Sequence, residues 1–196
     1  MTDRTKFDPT RLLKLNDPAR LGFLDLREVI LGSEISPESV IVDIGAGTGL
    51  FADALLDMLP GSSCWCLDIR EEMVEWIASN RIPAYGNRMH AAVCGESDIP
   101  LDDSMADLVF MMMLHHELRR PVAMMDECFR ILRPGGKVIA ADWRAGSRPG
   151  CPHQDRFLAS GEIREHLEAA GFIGVVQLKG SEQIQCMTAE RPVSAP

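Results

Sequence analysis

The sequence is poor in the features of membrane and nucleic-acid-binding proteins. No apolar run among its 196 residues is long enough to span a bilayer, and the segment before Phe23 lacks the apolar core, about 7–15 residues long, of a signal peptide. Lys and Arg number 20 against 29 Asp and Glu, a formal net charge of -9, and no basic cluster is present. An acidic surface repels phosphate backbones and anionic lipids. We therefore expect a cytoplasmic protein with no nucleic-acid and no membrane partner.

Cysteine is also scarce. Six cysteines are too few and too scattered for a disulfide scaffold in a chain of this length, so we expect reduced thiols packed as small hydrophobic side chains. Three motifs contain residues that can bind metals: Cys64-x-Cys66, Cys151-x-His153 and His115-His116-Glu117. None of them has the ligand spacing of a structural zinc site, so the sequence predicts no metal.

Short apolar runs alternate with amphipathic segments, which is typical of an α/β protein. The run SVIVDI at 39–44 has the pattern of a strand buried on both faces. Further strands are predicted at 64–68, 88–94, 106–114, 137–142, 172–179 and 184–188. Helices are predicted at 48–59, 70–80, 121–132 (closed by a turn at 134–136) and 160–170, with one or two more within 10–31. No repeat separates these elements, so we expect a single domain over 1–196 whose first 35 residues form a helical cap.

The first predicted strand leads into a glycine-rich loop, and the two together contain VIVDIGAGTG at 40–49. Glycine is needed where the backbone takes a positive φ or where a ligand approaches it closely. The helix that follows offers unpaired N–H groups, and Thr48 is expected to cap it. Dinucleotide-binding enzymes use G-x-G-x-x-G at such a turn, but the third glycine position is Leu50 here.

The charge before this loop favours a different ligand. Asp43 lies two residues before the first glycine, where it would repel a pyrophosphate and suit a cation. S-adenosylmethionine carries a sulfonium and an α-ammonium group. A second acid, Asp68, ends the second predicted strand, where a carboxylate binds ribose hydroxyls in nucleotide-binding folds. Asp68 is also a candidate N-cap for the next helix, and Ile69 would pack on one face of the adenine.

With these motifs the chain resembles the class I S-adenosylmethionine-dependent methyltransferases, in particular the small type-11 group. The resemblance rests on four segments: VIVDIGAGTGLFA, ESDIPLDDSMADLVFMMMLHHEL, ECFRILRPGGKVIAADW and HLEAAGF. It implies a three-layer Rossmann-like methyltransferase sandwich under an N-terminal helical cap. The sheet would be seven-stranded and mostly parallel, in the order 3-2-1-4-5-7-6, with strand 7 antiparallel.

The resemblance also implies a site for S-adenosylmethionine. Its expected residues are Asp43, Gly45, Ala46, Gly47, Asp68, Ile69, Glu96 and Ser97. Asp43 would order the ammonium group, the glycines would contact the methionine part, and Glu96 or Ser97 would reach the adenine edge. Leu50 replaces a tyrosine that is common in the nearest subgroup, which leaves the contacts at the carboxylate end of the cofactor open.

The methyl acceptor is expected at the carboxyl ends of strands four and five. His116 and His115 are candidate general bases, because imidazole titrates near neutral pH; a structural role is the alternative. Trp143 and Arg148 are candidates for the substrate pocket, with plain packing and a solvated cation as their alternatives.

The sequence thus favours a methyltransferase for a small-molecule acceptor. A protein that binds the cofactor without catalysis is the first alternative, and a nicotinamide-dependent oxidoreductase is the second. The acceptor and the oligomeric state are left open.

Overall fold

A computed structural model of the protein describes residues 9–147 and 154–193. Seven strands form one sheet in the order β3-β2-β1-β4-β5-β7-β6. The strands are β1 (Val40–Ile44), β2 (Ser63–Asp68), β3 (Met89–Val93), β4 (Ala106–Met112), β5 (Leu132–Trp143), β6 (Ile173–Leu178) and β7 (Ile184–Glu190). The first five are parallel, and β7 is antiparallel to both of its neighbours. The predicted sheet order and the antiparallel seventh strand are confirmed.

Helices cover both faces of this sheet. They are α1 (Pro9–Leu15), α2 (Leu26–Gly32), α3 (Leu50–Met58), α4 (Glu71–Asn80), α5 (Ile82–Tyr85), α6 (Pro121–Ile131) and α7 (Ser160–Ala169). A 3-10 helix (Pro18–Phe23) connects α1 to α2, and these three elements form the N-terminal cap. None of the helices within the described ranges has the length and apolar character needed to cross a membrane.

The strand β1 is buried on both faces, as its apolar run predicts. Neighbouring side chains of a strand point to opposite faces. Ile41 packs in one hydrophobic cluster with Leu55 of α3, while Val42 packs in a second cluster with Met125 of α6. The sheet is therefore the middle of three layers, which puts the carboxyl ends of its parallel strands at one edge of the molecule.

The prediction of a turn at 134–136 was wrong. This Pro-Gly-Gly segment belongs to β5, which begins directly after α6 ends at Ile131. Leu132 already pairs with Ala106, and the main chains of Gly135 and Gly136 bond to Arg191 after β7. The positive φ of Gly135, 80°, lets the strand deviate locally without ending, because strand pairing is maintained on both sides.

Candidate cofactor site

The glycine loop after β1 has the backbone that its sequence predicts. Gly45, Gly47 and Gly49 have φ values of 71°, 56° and 72°, a region that side chains with a Cβ rarely adopt. The N–H groups of Gly45 and Ala46 both donate to the carbonyl of Leu67, at 2.8 and 2.9 Å, which fixes the loop to the end of β2. A Cβ on Gly45 would lie 2.7 Å from Leu114 Cδ1, so any larger residue there would also displace the Leu114 side chain.

Thr48 does not cap α3, contrary to the prediction. The N-cap residue of α3 is Gly49, and it makes no side-chain cap hydrogen bond. The hydroxyl of Thr48 instead donates to the carbonyl of Leu15 at the end of α1, at 3.2 Å. The hydroxyl of Thr48 therefore bonds to the N-terminal cap, whereas the sequence predicts that it bonds to the first turn of α3.

Asp68 connects the glycine loop with the turn after β2. Its Oδ2 accepts from the Gly47 N–H and its Oδ1 from the Arg70 N–H, both at 2.9 Å. The N-cap position of α4 is occupied by Arg70, so Asp68 lies two residues too early to be the N-cap itself. Burial raises the pKa of Asp68, and the two backbone N–H groups oppose that rise. Each carboxylate oxygen retains room for one further donor.

Asp43 is the most deeply buried acid of the site, with 2% of its surface exposed. Its Oδ2 has no hydrogen-bond partner in the described part of the chain. Burial, followed by the negative charge of Asp68, raises the pKa of Asp43 to about 8, although Arg20 opposes the rise. A positively charged group beside Asp43 would remove this penalty.

These residues surround a cavity of about 720 Å³ at the carboxyl ends of β1, β2 and β4. A volume of this size is typical of sites for ligands as large as a nucleoside derivative. All of the predicted cofactor residues line the cavity except Ser97. Ile69 is half exposed to it, and Glu96 accepts from the Arg119 N–H at 3.3 Å. The hydroxyl of Ser97 is buried and finds no partner among the described residues.

The cavity also contains residues that the sequence analysis missed. Leu15 and Arg20 reach it from the cap, Met113 and Leu114 follow β4, and Arg156 precedes α7. Met113 has a φ of 58°, which turns the chain sharply after β4. Their sequence context did not single these residues out for the cofactor, because they meet only when distant segments pack together.

The two candidate histidines differ in their surroundings. His115 is 2% exposed, and its Nε2 lies 3.0 Å from Nδ1 of His166 in α7, with the two rings stacked. Burial, then the charge of His166, lowers the pKa of His115 to about 4. His116 donates from Nδ1 to Asp142 Oδ1 at 2.7 Å, and Asp142 Oδ2 accepts from the His116 N–H. Neither histidine is among the described residues that line the cavity.

The predicted substrate-pocket residues, Trp143 and Arg148, are not among the described residues that line the cavity. Trp143 packs edge-to-face on Phe23 of the cap, with ring centroids 5.1 Å apart, and near Phe157. It is buried and is not one of the described residues lining the cavity. Arg148, Cys151 and His153 lie outside the described residues. Within 9–147 and 154–193, no three His, Cys, Asp or Glu side chains form a cluster suited to a metal ion.

Comparison with known proteins identifies the class. Residues 42–140 match a family model described as a methyltransferase domain. The chain therefore belongs to this methyltransferase family, and its sheet order is that of the class I S-adenosylmethionine-dependent enzymes. The cofactor of this class fits the site, because Asp43 lines the cavity, has an oxygen without a partner in the described structure, and would be stabilised as a carboxylate by a cation.

Individual relatives differ in their named reactions. A malonyl-acyl-carrier-protein O-methyltransferase of Methylococcus capsulatus is 32% identical over 149 residues, which are 69% of this chain and 52% of that protein. A ubiquinone/menaquinone biosynthesis C-methyltransferase, UbiE, of Cupriavidus metallidurans is 25% identical over 178 residues, 80% and 72% of the two chains. A SAM-dependent methyltransferase from Aquifex aeolicus has a similar structure, with a TM-score of 0.84, 27% identity and coverage of 95% and 100%. The chain spans about half the length of the malonyl-acyl-carrier-protein relatives that it matches.

Proposed function

We propose that this protein transfers a methyl group from S-adenosylmethionine to a small-molecule acceptor and releases S-adenosylhomocysteine. The observation that carries the proposal is the cavity in which Asp43, Asp68 and the glycine loop converge. The bound cofactor supplies a methyl group that its sulfonium already activates. The protein has to bind and orient this group, align the acceptor and exclude water.

The contacts support one orientation of the cofactor. Asp43 faces the α-ammonium group, because its buried oxygen lacks a partner in the described structure. Asp68 accepts from the ribose hydroxyls with the lone pairs that Gly47 and Arg70 leave free. Ile69, which is half exposed, covers one face of the adenine. Glu96 is favoured over Ser97 for the adenine edge, since only Glu96 lines the cavity in the described chain.

For acceptors that must lose a proton, we propose His116 as the general base. Asp142 holds Nδ1, which leaves Nε2 as the nitrogen that takes the proton, and Nε2 lies 3.9 Å from Oε1 of Glu117, a cavity residue. His115 has a structural role instead, because a pKa near 4 makes it a weak base at neutral pH. His116→Gln should lower turnover of such an acceptor while leaving the affinity for S-adenosylhomocysteine unchanged.

The names of two relatives point to two other classes of methyl acceptor, which are alternatives to a free small molecule. A carrier-linked acyl group is the first, since one relative is named as a malonyl-acyl-carrier-protein methyltransferase. A quinone precursor is the second, in view of the named C-methyltransferase. Screening free small molecules, acyl-carrier-protein thioesters and quinone precursors for release of S-adenosylhomocysteine separates these classes. Cofactor binding without turnover on any of them would favour a binding protein over an enzyme.

Calorimetric titration with S-adenosylhomocysteine tests the cofactor site. Asp68→Asn keeps the shape of the side chain but removes the charged acceptor, and it should weaken binding by about 1–3 kcal/mol. Asp102→Asn is the matched control, because Asp102 is exposed and does not line the cavity. A wild-type protein that binds NADH and not S-adenosylhomocysteine would overturn the proposal. Equal losses in both variants would remove Asp68 from the ribose site.

A further inference from the structure

Arg20 brings a positive charge from the cap into the cofactor cavity. It lies in the 3-10 helix between α1 and α2, yet its side chain lines the same cavity as Asp43 and the glycine loop. The guanidinium donates from Nη1 to the carbonyl of Leu15 at 2.8 Å and lies 5.5 Å from the centre of the Phe51 ring. These contacts hold the side chain over the cavity.

A third contact of the Arg20 side chain is weak. Its Nη2 donates to the thioether sulfur of Met113 at 3.4 Å, and sulfur is a poor acceptor for a charged donor. Burial lowers the pKa of Arg20, an effect that the charges of Asp43 and Asp17 oppose. Among the described residues, Nη2 of this half-buried guanidinium bonds to sulfur and has no anionic oxygen partner.

Asp43 and Arg20 bring an acidic and a basic side chain to one cavity. Asp43 has an unpartnered oxygen in the described structure and favours a cation, whereas Arg20 favours an anion. A free α-amino acid group carries both complementary charges, because an ammonium and a carboxylate are attached to the same carbon atom. Guanidinium is also the side-chain group whose planar geometry matches a carboxylate with two parallel hydrogen bonds.

We propose that Arg20 binds the α-carboxylate of the methionine part of the cofactor, while Asp43 faces its α-ammonium group. This inference rests on the proposed function and extends it to the N-terminal cap. The carboxylate takes the place of Met113 Sδ as the partner of Nη2. The cap is then part of the cofactor site, and binding of the amino-acid group ties it to the sheet.

Two ligands that differ in one group test the assignment. S-adenosylmethionine and its decarboxylated form share the sulfonium, the amine and the nucleoside, and differ in the carboxylate. Calorimetry on the wild type should give weaker binding of the decarboxylated form. Arg20→Gln should weaken S-adenosylmethionine by about 10–100-fold, the range for hydrogen bonds to charged groups, and change the decarboxylated form by less than about 2-fold. Arg20→Lys should recover part of the affinity, because it restores the charge without the two-pronged geometry.

Arg27→Gln is the matched control, since Arg27 is an exposed arginine of α2 outside the cofactor cavity. Retained binding of the decarboxylated ligand by Arg20→Gln also verifies that the variant is folded. An equal loss for both ligands, or no loss for either, would overturn the role of Arg20 and leave the proposed function intact. Failure of the wild type to bind either ligand would overturn the proposed function as well.

Discussion

Burying a charged side chain is unfavourable in free energy, and a ligand of opposite charge can offset that penalty. In the cofactor site the penalty falls on a few residues. Asp43 and Asp68 are both buried, and the negative charge of Asp68 makes ionisation of Asp43 still less favourable. Arg20 opposes the effect but does not cancel it, since the pKa of Asp43 still rises to about 8. The protonation of Asp43 is thus coupled both to folding and to the charge of a ligand in the cavity.

We expect cofactor binding to release a proton from Asp43. At about pH 7 the free protein holds Asp43 mostly protonated, because its pKa is about 8, whereas an ammonium group binds the ionised form better. Titration with S-adenosylhomocysteine in buffers of different ionisation enthalpy should therefore detect release of up to about one proton near pH 7. The release should diminish as the pH rises through 8. Unchanged release in Asp43→Asn would contradict this assignment.

The raised pKa of Asp43 also determines the direction in which the stability of the fold changes with pH. The pKa of Asp43 is raised from about 3.8, its ordinary value in an unfolded chain, to about 8 in the folded protein. Its contribution to the free energy of unfolding is therefore complete below about pH 4 and is lost as the pH rises through 8. Asp43→Asn should flatten this part of the pH profile.

His115 gives the opposite dependence at lower pH. Burial lowers its pKa from 6.5 to about 4, so the folded protein keeps it neutral while the unfolded chain takes up a proton. Its stabilisation is present above pH 6.5 and is lost as the pH falls towards 4, by at most about 1.4 kcal/mol per pH unit. Urea unfolding of wild type and His115→Asn between about pH 4 and 7 measures the difference. Parallel profiles would show that His115 is not the group responsible.

At the scale of elements, the glycine loop is shaped by the segment after β4 as well as by β1. Gly45 has a positive φ, and Leu114 occupies the space that a Cβ would need. Leu114 also lines the cavity, so a side chain at position 45 would displace part of the cavity wall. The loop and the end of β4 therefore constrain one another across the parallel pair β1 and β4.

Gly45→Ala should consequently impair both folding and binding. Backbone strain in the left-handed region costs about 1–2 kcal/mol, and the contact with Leu114 adds to it. Gly146→Ala is the matched control, because Gly146 has a φ of 77° but nothing within 4 Å of its Cβ position. Urea unfolding should find both variants destabilised, Gly45→Ala more so. Calorimetry should find a loss of S-adenosylhomocysteine affinity in Gly45→Ala alone; equal affinities would exclude the contact with Leu114 as a constraint on the site.

At the scale of the whole molecule, the cap and the sheet meet at the cofactor cavity. Arg81, directly after α4, donates to the Thr48 carbonyl at 3.1 Å, to Asp53 of α3 and to Asn16 of the cap. The carbonyl of Leu15 accepts from both Arg20 and Thr48. A ligand in the cavity therefore contacts segments whose separation is part of unfolding.

Ligand binding should for this reason stabilise the whole fold. At a concentration of S-adenosylhomocysteine about 100 times its Kd, linkage adds about 2.7 kcal/mol to the free energy of unfolding. For a protein of this length that corresponds to a rise in Tm of about 5–10 °C. Thermal unfolding monitored by circular dichroism should show this rise in the wild type and a smaller one in Asp68→Asn at the same ligand concentration. A rise with NADH alone would contradict the cofactor assignment.

Much of this fold could be predicted from short segments of sequence. A strand buried on both faces needs a continuous apolar run, as at 39–44, and a positive φ needs glycine, as at Gly45 and Gly47. The wrong predictions have one cause. Thr48 and the Pro-Gly-Gly segment at 134–136 have strong local preferences, but distant partners, Leu15 and Arg191, decide their hydrogen bonds.

The sequence by itself therefore determined the loop backbone and the two acids near the ends of β1 and β2, and its resemblance to a family implied the sheet order. Only the tertiary structure decided which side chains meet those acids. Arg20 reaches the site of Asp43 across the cap, and His115 pairs with His166, 51 residues away. Backbone conformation depends on the residue itself and its neighbours in the chain, whereas the partner of a buried side chain depends on how all of the layers pack.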